Sequence, residues 1–284
     1  MRGDRIASFG IVGAGLIGGS LALAIAARRP EAAILLFDRN PEHSRLLASR
    51  IPTARVVAAL EAVAEADIVF IATPVGAIGE IVQVLSQSLP GESVIVDCGS
   101  AKGAVIEAAE AGGARLKRFV PGHPLGGAIA SGPGAAAAEI IQGQPFLLCP
   151  TPTTDAGAVA LAEAVLRSIG AMPQVLSPER HDALLAATSH LPHLLAFALA
   201  AMAGDRIGPG EPTAPSYRAI TRYAFADPEM WADIFIANRG ALEPALAALD
   251  AEIGALRALA AGGNAAALRE RLAAIGADLA RERG

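Results

Sequence analysis

Phe9-Gly-Ile-Val-Gly-Ala-Gly-Leu-Ile-Gly-Gly-Ser20, an apolar run to Ala27, and then Ile34-Leu-Leu-Phe-Asp38 form the segment from which the rest of the chain is read. Its first residues suit a buried strand. Gly13, Gly15 and Gly18 complete G-x-G-x-x-G where a helix should begin, and a second apolar strand ends in an acid twenty positions beyond the last glycine. Each part has a physical task in holding a nicotinamide or flavin dinucleotide. Gly13 permits the tight turn, Gly15 lets backbone approach a pyrophosphate, and Gly18 lets helix and strand pack closely. The helix start at Leu16 and Ile17 offers free N–H groups and a positive dipole end to phosphate. Asp38 accepts hydrogen bonds from the adenosine ribose; its charge repels a 2′-phosphate and favours NAD, although Arg39 beside it leaves NADP possible.

The same segment has a competing reading. Ile6 to Ala27 carries no charge, Arg2 and Arg5 precede it, and Ala24-Ile25-Ala26 resembles a cleavage site, the features of a secretory signal or a membrane span. Against that, Asp4 sits among the basic residues and glycines interrupt the apolar run. Cleavage would also orphan the second strand and Asp38.

At 284 residues, the chain has room for two domains. Apolar residues make up 53% of it and aromatics only 4%, which favours helices packed through small side chains. A net charge of −5 with no Lys/Arg cluster argues against a nucleic-acid partner. Two cysteines without metal spacing, Cys98 and Cys149, fit a reducing cytoplasm and no metal site. Beyond the N-terminal run the longest apolar stretch is 194–203, too short to cross a bilayer, so no membrane partner is expected.

Short apolar strands alternate with helical stretches through the first half, the pattern of a doubly wound α/β sheet. Strands are expected at 8–13, 33–38, 54–57, 67–72, 93–97, 118–121, 146–149 and 173–176. Ser177-Pro178-Glu179 is a helix start, with a capping hydroxyl, proline at the first position and an acid in the first turn. Asp227-Pro228-Glu229 repeats the device, Asn264 is placed to cap a last helix, and only helical signals follow residue 176. The expected domains are therefore a dinucleotide-binding Rossmann unit over 1–176 and an all-α unit over 177–284.

In an open parallel sheet, ligands bind beyond the carboxyl ends of the strands. Thr73-Pro74, Gly99-Ser100-Ala101-Lys102 and His123 all follow expected strands and so share one crevice. Thr73-Pro74 reads equally as a strand stop or a cofactor contact. Ser100 suits a helix N-cap, and Lys102 is most simply a solvated first-turn residue. His123, boxed in by Gly122, Pro124, Gly126 and Gly127, sits in a loop with little bulk to bury an imidazole and suits acid–base work. In the helical half, Ser189, His190 and His193 are spaced to share one helix face. Pro192 should kink that helix. A packed core histidine is the alternative for His190. Arg218 and Arg222, four apart, make a like-charged pair for which an anion such as a carboxylate is an attractive partner; surface solvation is the alternative.

In the order and spacing of its motifs, the chain resembles the prephenate/arogenate dehydrogenase family. The motifs are Gly13 to Gly18, Ala72-Thr73-Pro74-Val75, Asp97-Cys98-Gly99-Ser100-Ala101-Lys102, Pro121-Gly122-His123-Pro124-Leu125, Thr188 to His193, Thr221-Arg222 and Asp227-Pro228-Glu229-Met230-Trp231. The resemblance implies a helical domain that builds an intertwined homodimer and an NAD-dependent oxidative decarboxylation in tyrosine biosynthesis. It implies that His123 polarises or deprotonates the substrate hydroxyl, with Ser100 bonded to His123 or to that hydroxyl. Thr73, Pro74 and Ser100 would line the cofactor. Ser189, His193 and Arg222 would bind substrate, Arg222 through a carboxylate, and Trp231 would shape the pocket. Ala128-Ile129 and Ala219 depart from the polar residues usual in the family, which leaves the choice between a keto-acid and an amino-acid tail open with a slight lean to prephenate. The alternatives are a β-hydroxyacid dehydrogenase or imine-reductase-like oxidoreductase, which needs Lys or Asp on the long helix, and a non-catalytic dinucleotide sensor.

Overall fold

The computed structural model describes residues 6–90, 93–127, 130–204, 206–208 and 210–283. The opening segment folds as strand β1 (Ser8–Val12), helix α1 (Leu16–Arg28) and strand β2 (Ala33–Phe37). Phe9, Ile11, Leu21 and Ile25 are fully buried in the core, so the segment is structural and the signal-peptide reading does not hold for it. Arg2, Asp4 and Arg5 lie outside the described residues.

Helix α2 (Pro41–Ala48) leads to β3 (Ala54–Val56) and β4 (Ile68–Ile71). Helix α3 (Val75–Ser88), β5 (Val94–Asp97), α4 (Gly103–Ala111) and β6 (Phe119–Val120) complete a six-stranded parallel sheet of order β3-β2-β1-β4-β5-β6. Chain direction across the sheet reverses between β1 and β4, which is where an open α/β sheet forms its ligand crevice. The strands read as continuous apolar runs because both faces are covered. On one face, Phe70 and Val96 pack with Leu21 and Ile25 of α1; on the other, Val69, Ile71 and Ile95 pack with Ile78 and Val82 of α3 and Val105 of α4.

One expectation is corrected at residue 121. The strand foreseen over 118–121 stops at Val120, and Gly122–Pro124 forms a separate strand, β7. It pairs antiparallel with β8 (Pro145–Leu148), which runs parallel to β9 (Met172–Val175). His123 is thus held by a strand rather than a loop. Helix α5 (Ala156–Ser168) connects β8 to β9.

Among the described residues, only helices follow. Ser177 caps α6 (Pro178–Leu185) through Arg180 N–H. A π turn over Ala186–His190 joins it to α7 (Leu191–Gly204). Then come α8 (Pro215–Thr221), a 3-10 turn (Arg222–Phe225), α9 (Pro228–Ala237), α10 (Arg239–Ala261) and α11 (Ala265–Arg283). Asp227 caps α9, and the Asn264 side chain accepts from Ala267 N–H, both as the sequence predicts. Trp231 and Ile234 of α9 bury themselves in the cluster containing Val75 and Ile78 of α3, so helical part and sheet share a core at the crevice.

Candidate active site at the strand ends

At the first strand–helix turn the backbone is shaped for a dinucleotide. Gly13 has φ +92, and a Cβ on Gly18 would lie 1.9 Å from the carbonyl oxygen of Gly13. Beside Gly15 the space is open, and α1 starts there with no side-chain cap, so the N–H groups of its first turn, at Leu16 and Ile17, remain for an anion. Asp38 is anchored by Ala14 N–H at 2.7 Å and Asn40 N–H at 2.8 Å, which fixes its carboxylate at the end of β2, while Arg39 is exposed. At the end of β4 the Thr73 hydroxyl is buried without a partner among the described residues, and Pro74 starts α3. These features fit NAD: a phosphate cradle, an acid for the ribose and an unsatisfied hydroxyl further along the crevice.

Lys102 departs most from expectation. It is fully buried, not solvated. Its ammonium pairs with Asp97, also fully buried, and donates to Gly122 O at 2.5 Å. The other lone pairs of Asp97 take Gly99 N–H at 2.8 Å and Gly122 N–H at 2.9 Å. A buried ion pair is tolerable only when so fully hydrogen-bonded. It ties the end of β5 to the residue before His123, and so aims β7. Nor does Ser100 cap α4. Asp182, from α6, does so instead, accepting Lys102 N–H and Gly103 N–H, each at 2.8 Å.

That cap carries the second half of the site. His181 Nδ1 lies 2.8 Å from Asp182 Oδ1, and His123 Nδ1 lies 2.9 Å from His181 Nε2. A carboxylate only accepts, so His181 Nδ1 donates; in the neutral ring its Nε2 then accepts the proton of His123 Nδ1. The chain Asp182–His181–His123 thereby leaves His123 Nε2 as a lone pair with no hydrogen-bond donor among the described residues. Burial pushes the His123 pKa well below its usual value, and the nearby His181, Lys102 and His190 push the same way. His123 is an uncharged base at neutral pH. Burial also opposes ionisation of Asp182, but hydrogen bonds from His181 and the two backbone N–H groups outweigh it and hold the carboxyl below its ordinary value. Ser100 stands at the same strand end but makes no hydrogen bond to His123 among the described residues; His181 takes that position.

The helix bearing Thr188 to His193 answers Pro192 with a π turn: Leu191 N–H bonds Ala186 O, one residue further back than in an α-helix. The turn separates the expected triad. His190 turns inward, 1% exposed, with its Nδ1 2.9 Å from Asn238 Nδ2. Because that amide also donates to Asp182 O, it is the donor, and His190 Nε2 carries the proton, buried without a partner among the described residues. Burial lowers its pKa to about 4. Ser189 serves through its carbonyl, 2.9 Å from His193 Nδ1. His193 stacks on Trp231, ring centroids 3.6 Å apart, and packs against Tyr223 at 4.8 Å. Arg222 donates to the Tyr223 hydroxyl at 2.7 Å and has no carboxylate partner among the described residues, whereas Arg218 turns back to Thr213. Ala128 and Ile129 lie outside the described residues.

His181, Asp182, Asn238 and Tyr223 were not singled out from sequence. The adjacent His-Asp pair one turn into a legible helix start was the available signal; its partners lie 58 and 80 residues away. Among the described residues no three His, Cys, Asp or Glu side chains gather to hold a metal.

Residues 21–175 match the family model described as prephenate dehydrogenase, nucleotide-binding domain, and residues 177–274 match prephenate dehydrogenase, dimerization domain. The chain is 35% identical to a cyclohexadienyl dehydrogenase of Zymomonas mobilis over 253 residues, 87% of this chain and 86% of that protein. It is 33% identical to a prephenate dehydrogenase of Bacillus subtilis, covering 81% of this chain and 63% of that longer one. Its fold is similar to the crystal structure of prephenate dehydrogenase from Aquifex aeolicus in complex with hydroxyphenyl propionate and NAD+. The TM-score there is 0.88 at 29% identity, over 97% of this chain and 98% of that one.

Proposed function

The chain belongs to the prephenate dehydrogenase family, and from that premise we propose that it catalyses the NAD-dependent oxidative decarboxylation of prephenate, arogenate or both, in tyrosine biosynthesis. The observation that carries this reading is the lone pair of His123 Nε2, uncharged at neutral pH and oriented through His181 and Asp182.

NAD, held by the Gly13–Gly18 turn, Asp38 and the Thr73-Pro74 segment, supplies the hydride acceptor. His123 Nε2 takes the proton of the ring hydroxyl as the carbonyl forms, the geometry general-base catalysis requires. The proton leaves His123 cationic beside His181, and Asp182 at the far end of the chain stabilises that charge. Loss of carbon dioxide makes the ring aromatic and supplies a large driving force. The protein's work is therefore to orient and deprotonate. Arg222 anchors a substrate carboxylate bidentately, with His193, Ser189 and Trp231 forming the wall beside it and Ser100 lining the meeting of cofactor and substrate. Asp38 favours NAD over NADP by repelling a 2′-phosphate.

The division into 1–176 and 177–284 is retained, with a homodimer built on the second part. That assembly is supported by apolar surface left open on one copy: Phe225 is 84% and Ile236 64% exposed, and the 27-residue helical run Pro178–Gly204 is apolar yet mostly unburied. A soluble cytoplasmic setting fits the two free thiols.

Purified protein, NAD and either prephenate or arogenate provide the test. Turnover appears as NADH absorbance with loss of the cyclohexadienol. NAD binding with no turnover of either compound would overturn the reading in favour of a sensor or another substrate.

A further inference from the structure

We propose that Asn238 is a positioning residue for the reaction: its side-chain amide clamps the π turn at both ends and so fixes the base relay against the aromatic wall of the pocket. This rests on the proposed function and adds a group that belongs to neither the relay nor the wall.

Asn238 stands at the junction of α9 and α10. Its own N–H bonds Ile234 O and its carbonyl takes Leu242 N–H, each at 2.9 Å, so its backbone is held from both sides. An asparagine before a helix ordinarily caps it through the side-chain oxygen. This one makes no such bond to α10; the side chain turns inward and the residue is 3% exposed. Nδ2 carries two hydrogens, and both are used. One goes to Asp182 O at 3.0 Å and the other to His190 Nδ1 at 2.9 Å.

Those two acceptors bracket the π turn. Asp182 lies just before it, where Ala186 N–H is divided between Asp182 O and Ala183 O, so Asn238 supplies a donor that the helix itself only shares out. His190 is the last residue of the turn. A π turn is rare and forgoes the regular ladder, so contacts from outside the helix decide where it is held. On either side of it stands the site. Before the turn, the Asp182 carboxylate caps α4 and orients His181, which orients His123. After it, His193 stacks on Trp231, and the His190 ring meets Trp231 edge-on with centroids 6.1 Å apart. Asn238 bonds one residue on each side. A shift of the turn moves base and wall relative to one another, and a misplacement of about 1 Å can cost roughly 100-fold in rate. The amide also sets a tautomer: with Nδ1 accepting from Asn238, His190 carries its proton on Nε2.

The test uses Asn238→Asp, which keeps the shape but presents only acceptors, and Asn238→Leu, which keeps the bulk and presents neither donor nor acceptor. Sites are counted by NAD binding, so that kcat refers to folded protein. On prephenate and arogenate alike, kcat should fall by about 10- to 100-fold in both variants. NAD affinity should stay within about twofold of wild type, because the cradle of Gly13–Gly18 and Asp38 shares no residue with the clamp. A side chain that merely filled space would leave the NAD-binding fraction turning over at the wild-type rate. Nitrogen-15 NMR of histidine-labelled protein gives the second readout. In wild type the His190 signal, assigned by its loss in His190→Asn, should show Nε2 protonated and Nδ1 bare; in Asn238→Asp the proton should move to Nδ1, toward the new carboxylate. Turnover per NAD site within about twofold of wild type in either variant, or Nδ1 protonation of His190 in the wild type, would overturn the proposal. The wild-type spectrum decides even if neither variant folds. Wild-type inactivity on both substrates would overturn the proposed function instead, while the His190 tautomer would still test the clamp.

Discussion

His123 owes its chemistry to neighbours that lie outside its own strand. Lys102 and Asp97 aim the strand, His181 and Asp182 fix the tautomer, and burial keeps the ring uncharged. Because its pKa is lowered, the base is ready at neutral pH. The profile of kcat/KM should be flat from neutrality down past 6.5 and fall only as acidity reaches the depressed pKa of His123. A limb at or above 6.5 would contradict the burial argument. Lys102→Met probes the same network through stability. It strands a buried carboxylate, and removing one partner of such a pair costs about 3–5 kcal/mol; urea unfolding should show a loss of that size. A solvated lysine, as its sequence position suggests, would cost almost nothing. The sequence could not reveal this burial, because it depends on Asp97 and on the carbonyl of Gly122 twenty residues further on.

Strands and helix starts were legible wherever the controlling interactions are local. Parallel strands covered on both faces read as apolar runs, and Ser177, Asp227 and Asn264 cap because the capping oxygen and its N–H are two or three residues apart. Two features were not legible for the opposite reason. Strand β7 is defined by an antiparallel partner more than twenty residues away, and the π turn is how a packed helix accommodates Pro192. The α4 cap belongs with them, since it comes from Asp182 rather than Ser100. Asp182→Ala should therefore do two things: lower stability by about 1–2 kcal/mol through the lost cap, and lower kcat at least tenfold through the released His181, with KM for NAD little changed. Loss of stability with an unchanged kcat would separate the cap from the catalytic chain. At the first turn, Gly18→Ala places a Cβ 1.9 Å from Gly13 O, and calorimetry should find NAD affinity reduced at least tenfold.

Across the whole molecule, the proposed reaction divides its work: the sheet would supply the cofactor cradle and the base, the helices the substrate wall and the residues that orient the base, while His190 is packed among the helices against Asn238 and Trp231. Its pKa is about 4 when folded against 6.5 unperturbed, so the unfolded chain binds the proton more readily. Stability is then complete above pH 6.5 and is lost as pH falls toward 4, by about 3 kcal/mol from this group. His190→Asn should flatten that part of the pH–stability curve. The division of labour makes one measurement decisive: NADH and carbon dioxide released in a single turnover on prephenate and on arogenate, by wild type and by His123→Asn, with NAD affinity determined for both proteins. Equimolar NADH and carbon dioxide from wild type on at least one substrate, with turnover reduced by about 10²–10⁴-fold in His123→Asn at unchanged NAD affinity, is the predicted result. NADH without carbon dioxide, or full turnover by His123→Asn, would contradict it.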